Sequence, residues 1–436
     1  MGLISPRSGV RIRVKQHKIV HNKFKNFKNK IFLFVLTLIL TFFLFKFNLH
    51  EIFIGETKEL FGDHKLYISW IKCDYLGFDA YKNTDCGLSA NANYGPLFFI
   101  VPFNLDLESF YLNQFPFIVI ITFLFFCSFQ LNPKNKYEFV ICLLSIFNPV
   151  TFLAIERLNF DLLIFLGIIF IVYNRLYLIN WIIIFFLTLV KIYPFFLISN
   201  ILNENKKRKL LSSLVITITV ISLMLLYIYL NFDTYYYDVI NSGGLKAGLH
   251  LLFSIKALAK IIKYLIHINY VISLPIILII FLYLTKMFYQ ILNTKKINDF
   301  IDLNSHKTRL YALSAIIIVF CYLIFSNYFY REIFLILILP LLFQIKQLEK
   351  NKVVNSYFNL IFFKCIFIFI YGYFNVYESF YHIDGLRYYS KTFIIVGLIK
   401  SIIDIIQISI ILSLFLIIFN KIYNYILSEG KKLLTN

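Results

Sequence analysis

KIFLFVLTLILTFFLFKF (30–47) follows a start that carries nine Lys or Arg and no acid over residues 1–30. An apolar run of this length approaches the ~20 residues that a helix needs to cross the ~30 Å hydrocarbon layer of a membrane. No small-residue cleavage site separates it from the polar loop that follows, so it reads as a retained span and not as a removable leader. The basic start keeps its end of the chain in the cytoplasm, because positive charge is retained on that side of short loops. Similar runs recur toward the C-terminus, 60% of residues are hydrophobic and the mean hydropathy is +0.76. A soluble core is excluded.

Working outward, candidate crossings fall at 31–48, 111–131, 138–155, 160–175, 178–203, 210–231, 269–290, 309–326, 332–346, 353–374 and 393–419. The run 178–203 admits two readings. A single crossing would put KKRK (206–209) outside, against the charge rule; a hairpin turning at Lys191 returns it to the cytoplasm and is preferred. NPKNK (132–136), NTKKINDF (293–300) and KQLEKNK (346–352) then share that side with both termini. The expectation is an all-α polytopic membrane protein of about twelve crossings. It divides into a basic cytoplasmic segment 1–30, a transmembrane domain 31–420 and a cytoplasmic tail 421–436, with an outer loop 49–110 and an interfacial segment 232–268. The formal charge of +20 is accounted for by this sidedness and implies a lipid surface as partner, not nucleic acid.

The outer loop reverses the charge balance, with nine acidic and four basic residues. It also holds Cys73 and Cys86, whose pairing in an oxidising compartment would contribute roughly 3 kcal/mol by the loop-closure argument. The other four cysteines lie in apolar runs and read as small packing residues, and no metal-ligand spacing occurs.

Chemistry-bearing residues gather in the outer segments. In FGDHKLYISW (61–70) Asp63 precedes Tyr67 by four positions, which puts carboxylate and phenol on one face of a helix. Asp63 reads as a base for an attacking hydroxyl or as a helix cap or solvated loop acid. GFDAY (77–81) offers Asp79 and Tyr81, with a turn as the plainer reading, and NYGP (93–96) offers Tyr94. IERLNFDLL (155–163) sets Glu156, Arg157, Asn159 and Asp161 between apolar runs, where they must line a cavity or pair locally. Arg157 suits a phosphate through its planar guanidinium, and a Glu156 or Asp161 ion pair equally well. Lys191 meets an anionic headgroup or snorkels. In NSGGLKAGLHLLFSIKALAKIIKYLIHI (241–268) Lys246 and His250 stand beside glycines that permit close ligand approach, ahead of an amphipathic helix expected to lie in the outer interface. Arg331 sits between two spans and serves either a phosphate or an ion pair.

The order of these features resembles the GT-C membrane glycosyltransferases, in particular glycosyltransferase family 87, the polyprenyl-phosphate-mannose-dependent mannosyltransferases. The resemblance rests on Asp63 with Tyr67 after the first span, then Gly77, Asp79 and Tyr81, then Tyr94 with Pro96, and further on LNFDLLIF and LVKIYPFF. It implies a GT-C-like fold in the inner (plasma) membrane and an inverting transferase acting on the extracytoplasmic face. A hexose, mannose in that family, would pass from a polyprenyl-phosphate sugar to a glycan or lipid acceptor, with Asp63 as general base and no cofactor beyond the lipid-linked donor. Tyr67, Asp79, Tyr81, Tyr94, Arg157, Lys191, Lys246, His250 and Arg331 would bind substrate. An O-antigen polymerase or ligase is the competing enzyme class; a transporter or lipid flippase is the competing non-enzyme, disfavoured by polar residues that fall at the outer boundary and not within the spans.

Overall fold

The computed structural model describes residues 27–47, 60–82, 86, 91–174, 176–203, 207–241, 252–324, 327–349, 352–377, 381–383, 386–388 and 391–434. The basic residues 1–26, Lys246 and His250 lie outside the described residues. The chain is helical, with two short antiparallel strand pairs among the described residues, Leu252–Phe253 with Asn327–Tyr328 and Tyr381–Ile383 with Leu386–Tyr388.

Five helices among the described residues are long and apolar enough to cross a membrane. They are α1 (Phe27–Lys46), a span over Leu105–Leu131, Tyr270–Leu292, His306–Ile324 and Ile394–Tyr425. A sixth arises if the bent pair Lys136–Ile146 and Pro149–Arg157 counts as one span. In chain order the helices are α1; α2 (Gly62–Tyr75); α3 (Leu105–Asn113); α4 (Phe115–Leu131); α5 (Lys136–Ile146); α6 (Pro149–Arg157); α7 (Asp161–Tyr173); α8 (Tyr177–Val190); α9 (Lys207–Leu230); α10 (Ile255–Ile266); α11 (Tyr270–Leu292); α12 (Lys295–Phe300); α13 (His306–Ile324); α14 (Leu335–Glu349); α15 (Lys352–Tyr377); and α16 (Lys391–Leu434).

Hydrocarbon supplies no hydrogen-bond partners, and several hydroxyls of the long helices find theirs inside the protein. Thr41 of α1 donates to the Thr37 carbonyl, and the single hydroxyl proton of Ser413 in α16 is shared between the Ser409 carbonyl and that of Thr285 across in α11. α11 turns Val271, Ile279 and Tyr283 outward at 72, 66 and 67% exposure. Such a face is stable only against lipid or another apolar surface. α13 is its opposite, buried around most of its circumference, with Tyr311 donating to the Ile411 carbonyl of α16.

Breaks are set by local chemistry. α5 and α6 meet at 43°, where Pro149 removes a helical N–H and the Asn148 side chain accepts from the Thr151 amide to start a new helix. The run 178–203 is divided: α8 ends at Val190, Lys191 is extended, and a 3-10 segment, Tyr193–Asn203, follows. α10 turns its apolar face to the protein. Ser254 caps it and His267 ends it in a left-handed conformation, and its apolar residues Ile255, Leu258, Ala259 and Ile261 are buried against α11 and α16. It is a packed helix of the bundle; its exposed cations are Lys260 and Lys263.

Contacts sort the connecting segments to two ends. At one end Asn29 donates to the Pro133 carbonyl, Lys134 pairs with Gln347, His306 stacks on Tyr173, and Lys421 donates to the carbonyls of Asn298 and Ile301. At the other, the described residues of 60–104 form a cap with its own small core of Tyr67, Trp70, Ile71, Tyr94 and Phe98 resting on Val190. The Cys73–Cys86 disulfide is formed within it.

Candidate functional site

The cap places α2 against the turn between α6 and α7. Phe61, in a left-handed conformation, donates its N–H to the Glu156 carbonyl at 2.6 Å and so registers the start of α2 on the end of α6. The turn is itself tight: Leu158 is left-handed, and the amides of Leu158 and Asn159 return to carbonyls of α6. A non-glycine residue in that conformation costs about 1–2 kcal/mol, which the closed turn offsets while aiming Arg157, Asn159 and Asp161 at the cap.

Asn159 is the junction. Its Nδ2 donates to Asp63 Oδ2 at 2.7 Å and to the Tyr67 hydroxyl at 3.3 Å. Its Oδ1 accepts from the Asp161 amide at 3.0 Å and from Lys191 Nζ at 3.2 Å. Arg157 donates to Asp63 Oδ1 at 3.1 Å, and these two are the more open members of the group, at 28 and 19% exposure. Tyr67 and Tyr94 share a hydrogen bond of 2.6 Å between hydroxyls, and Tyr81 donates to the Tyr94 carbonyl. Asp63 and Tyr67 thus share a face as their spacing predicts.

Behind them Asp161 is fully buried. Its Oδ1 accepts from Lys191 at 2.6 Å and from the Tyr193 hydroxyl at 2.5 Å. Arg331 Nε lies 3.4 Å from its Oδ2, with the guanidinium 4.5 Å from the Tyr193 ring centre. Lys191 in turn lies 5.0 Å from the Tyr94 ring centre. Charges this far from water persist only when paired; Asp161 supplies that pairing for two cations from distant parts of the chain.

Seven of the residues expected from sequence therefore meet: Asp63, Tyr67, Tyr81, Tyr94, Arg157, Lys191 and Arg331. Asp79 does not join them. It accepts from the Tyr81 amide and pairs with Lys82 at 2.9 Å; burial pushes its carboxyl up, and these partners outweigh that and leave it below the usual range. The turn reading of GFDAY is the one realised. Tyr193 is an addition that spacing alone did not single out, and Asn159, expected only to line a cavity or pair locally, proves to be the junction.

Next to Tyr67 and Asn159 opens a cavity of about 100 Å³ lined by aromatic side chains, among them Phe98, Tyr111, Phe115 and Phe160. His64 also lines it and hydrogen-bonds the Tyr111 carbonyl through Nε2 at 2.7 Å; burial holds its imidazole below the ordinary value. Farther along the same pair of helices, α4 and α7, lies a larger apolar groove of about 730 Å³, bounded by Phe125, Phe129, Leu166 and Phe170 and ending at Gln130 and Tyr173.

Gly95 shows how closely the cap is seated. Its N–H donates to the Val190 carbonyl, and a Cβ there would overlap the Leu189 carbonyl oxygen and crowd the Tyr235 hydroxyl, which donates to that oxygen. Gly95→Ala is expected to lower stability by about 1–3 kcal/mol through overpacking. Thermal unfolding of the purified variant checks this; an unchanged midpoint would mean that the cap is not seated on α8 in this way.

A second charged group lies within the bundle. Lys364 of α15 and Lys400 of α16 each contact both Glu332 and Asp404: Lys364 to Asp404 at 2.5 Å, Lys400 to Glu332 at 3.2 Å and to Asp404 at 2.8 Å, with a close Lys364–Glu332 contact. All four are at most 6% exposed. This corrects the expectation that polar residues stay at the boundary. Among the described residues no group of three or more His, Cys, Asp or Glu is placed to hold a metal ion.

Fold and site define a helical membrane protein with two carboxylates, tyrosines and three cations knitted together at one end of its bundle. Compared with protein-family models, with curated proteins and with solved structures, the chain has no match.

Proposed function

We propose that this chain is a membrane glycosyltransferase that moves a hexose from a polyprenyl-phosphate donor to a glycan or lipid acceptor at the extracytoplasmic face of the inner membrane, with inversion. The observation that carries the reading is the meeting of Asp63 with Arg157 at 3.1 Å, beside Tyr67 and an aromatic cavity. Asp63 is engaged at each oxygen and keeps further lone pairs. One accepts the proton of an acceptor hydroxyl as that oxygen attacks the anomeric carbon; the bond from this carbon to the phosphate oxygen breaks, and the lipid phosphate leaves with the electron pair.

Arg157 is the cation best placed to neutralise that phosphate, being the more exposed of the two arginines, with Lys191 and Arg331 held on Asp161 behind it. The scheme invokes no metal. The aromatic cavity suits the lipid chain next to the phosphate, and the α4–α7 groove suits its continuation. Twelve crossings with both termini in the cytoplasm complete the proposal, supported by the sorting of basic segments to the end opposite the site.

The second reading is a transporter, favoured by the buried Glu332, Lys364, Lys400 and Asp404. It ranks second because those charges satisfy one another, whereas the open members of the first group, Asp63 and Arg157, are reachable from outside the protein. Proteoliposomes given a panel of labelled polyprenyl-phosphate sugars with lipid-linked and free glycan acceptors decide the matter. Transfer from one donor is the expected result; no transfer from any, together with passage of labelled sugar across the bilayer, would replace the transferase by the transporter.

A further inference from the structure

Arg331 and Glu332 are neighbours in the 3-10 segment Phe329–Phe334, where successive side chains leave the axis about 120° apart. Arg331 goes to Asp161 and Glu332 goes to Lys364 and Lys400. One residue thus belongs to the candidate site and the next to the charged ring buried between α15 and α16. The ring is balanced, two ammonium groups against two carboxylates, with Lys364 also donating to Gln407 at 3.3 Å. A buried network of this kind adds little net stability over well-packed apolar side chains, and its best-attested use is to fix register.

We infer that the Glu332–Lys364–Lys400–Asp404 ring is a positioning device that sets the rotation of the 329–334 segment and thereby holds Arg331 against Asp161. Glu332 is the link, since it alone of the four lies on the segment that carries Arg331. The strand pairing of Leu252–Phe253 with Asn327–Tyr328 steadies the same segment just before Arg331, and the Phe253 ring lies 5.6 Å from Lys364 Nζ and 5.8 Å from Lys400 Nζ. The inference goes beyond the proposed reaction and stands independently of whether a sugar is transferred.

The chain carries its own reporter. Cys321 is buried, with its thiol beside Arg331 and within electrostatic reach of Asp161 and Lys191. Its labelling by N-ethylmaleimide, resolved by peptide mass spectrometry from Cys127, Cys142 and Cys365, reads whether Arg331 stays in place. Two double variants each remove one ammonium and one carboxylate and leave one pair. Glu332→Gln with Lys400→Met cuts the link, whereas Lys400→Met with Asp404→Asn keeps Glu332 on Lys364.

The first is expected to label Cys321 at least ~10-fold faster than the native chain, and the second within about 2-fold of it. Equal labelling of the two variants, whether both protected or both reactive, would show that the ring is a staple of the bundle with no particular hold on Arg331, and would overturn the inference.

Discussion

Asp63→Asn is expected to lower sugar transfer by about 10²–10⁴-fold, the usual contribution of a positioned general base, while the chain remains folded. The amide matches the carboxylate in size and keeps one oxygen to accept from Arg157 or Asn159, so the junction at Asn159 and the seat of α2 survive. What disappears is the capacity to take a proton. Arg157 loses the negative charge beside it but is the most exposed cation of the group, at 28%, and water screens it at little cost. The measurement is the initial rate of transfer in proteoliposomes beside the thermal midpoint of the same preparation. A rate within a factor of about 3 of the native one, far short of a base's usual contribution, would move the base elsewhere, even with the transferase reading intact.

The largest effect on stability is expected at Asp161. Asp161→Asn leaves Lys191 and Arg331 buried beside a neutral amide, and stranding buried charge costs about 3–5 kcal/mol. A thermal midpoint lowered by about 3–5 °C follows from that cost in a chain of this length. Because the penalty belongs to the stranded cation and not to the missing acid, Asp161→Asn combined with Lys191→Met should be less damaging than Asp161→Asn alone, a non-additivity that a double-mutant cycle measures. Lys191→Met alone leaves Asp161 with Arg331 and the Tyr193 hydroxyl, so it should be the mildest of the three. A single variant as stable as the native chain would mean that Asp161 does not carry these cations.

Sequence reasoning reached these residues unevenly, for physical reasons. Asp63 and Tyr67 were legible because both lie on one helix and their four-residue spacing is a local property. Lys191 was legible as a break because a cation within an apolar run disrupts the periodic pattern around it. Arg157 was legible as polar, but its choice of Asp63 over Glu156 or Asp161 depends on α2 docking on α6, which no local spacing encodes. Asn159 was legible as a polar residue that must pair locally, but not as the junction: an uncharged amide gives no electrostatic signal of which partners it takes, and its four side-chain hydrogen bonds join the two halves of the site.

The ring was missed for a related reason. Lys364 is a lone charge in an apolar run and meets partners in other elements. Lys400 and Asp404 did offer a signal, an ion pair one turn apart on a helix, which a reading of whole-span hydropathy averages away. The amphipathic pattern of α10 was recognised correctly, but the same pattern suits lipid on one side or a helix bundle on the other, and the packing of α10 on α11 and α16 chose the bundle.

The spread of the site along the chain imposes an order of manufacture. Asp63, Arg157, Asp161 and Lys191 all leave the ribosome well before Arg331, and the ring that grips its neighbour closes only after Asp404. At about 5–20 residues per second, the interval between synthesis of Lys191 and of Arg331 is on the order of ten seconds. Throughout it the early half of the constellation sits in the bilayer without its final arginine. The Asp161–Lys191 pair is therefore the form in which a nascent chain can wait, and chains cut short before Arg331 would keep that pair while lacking the finished site.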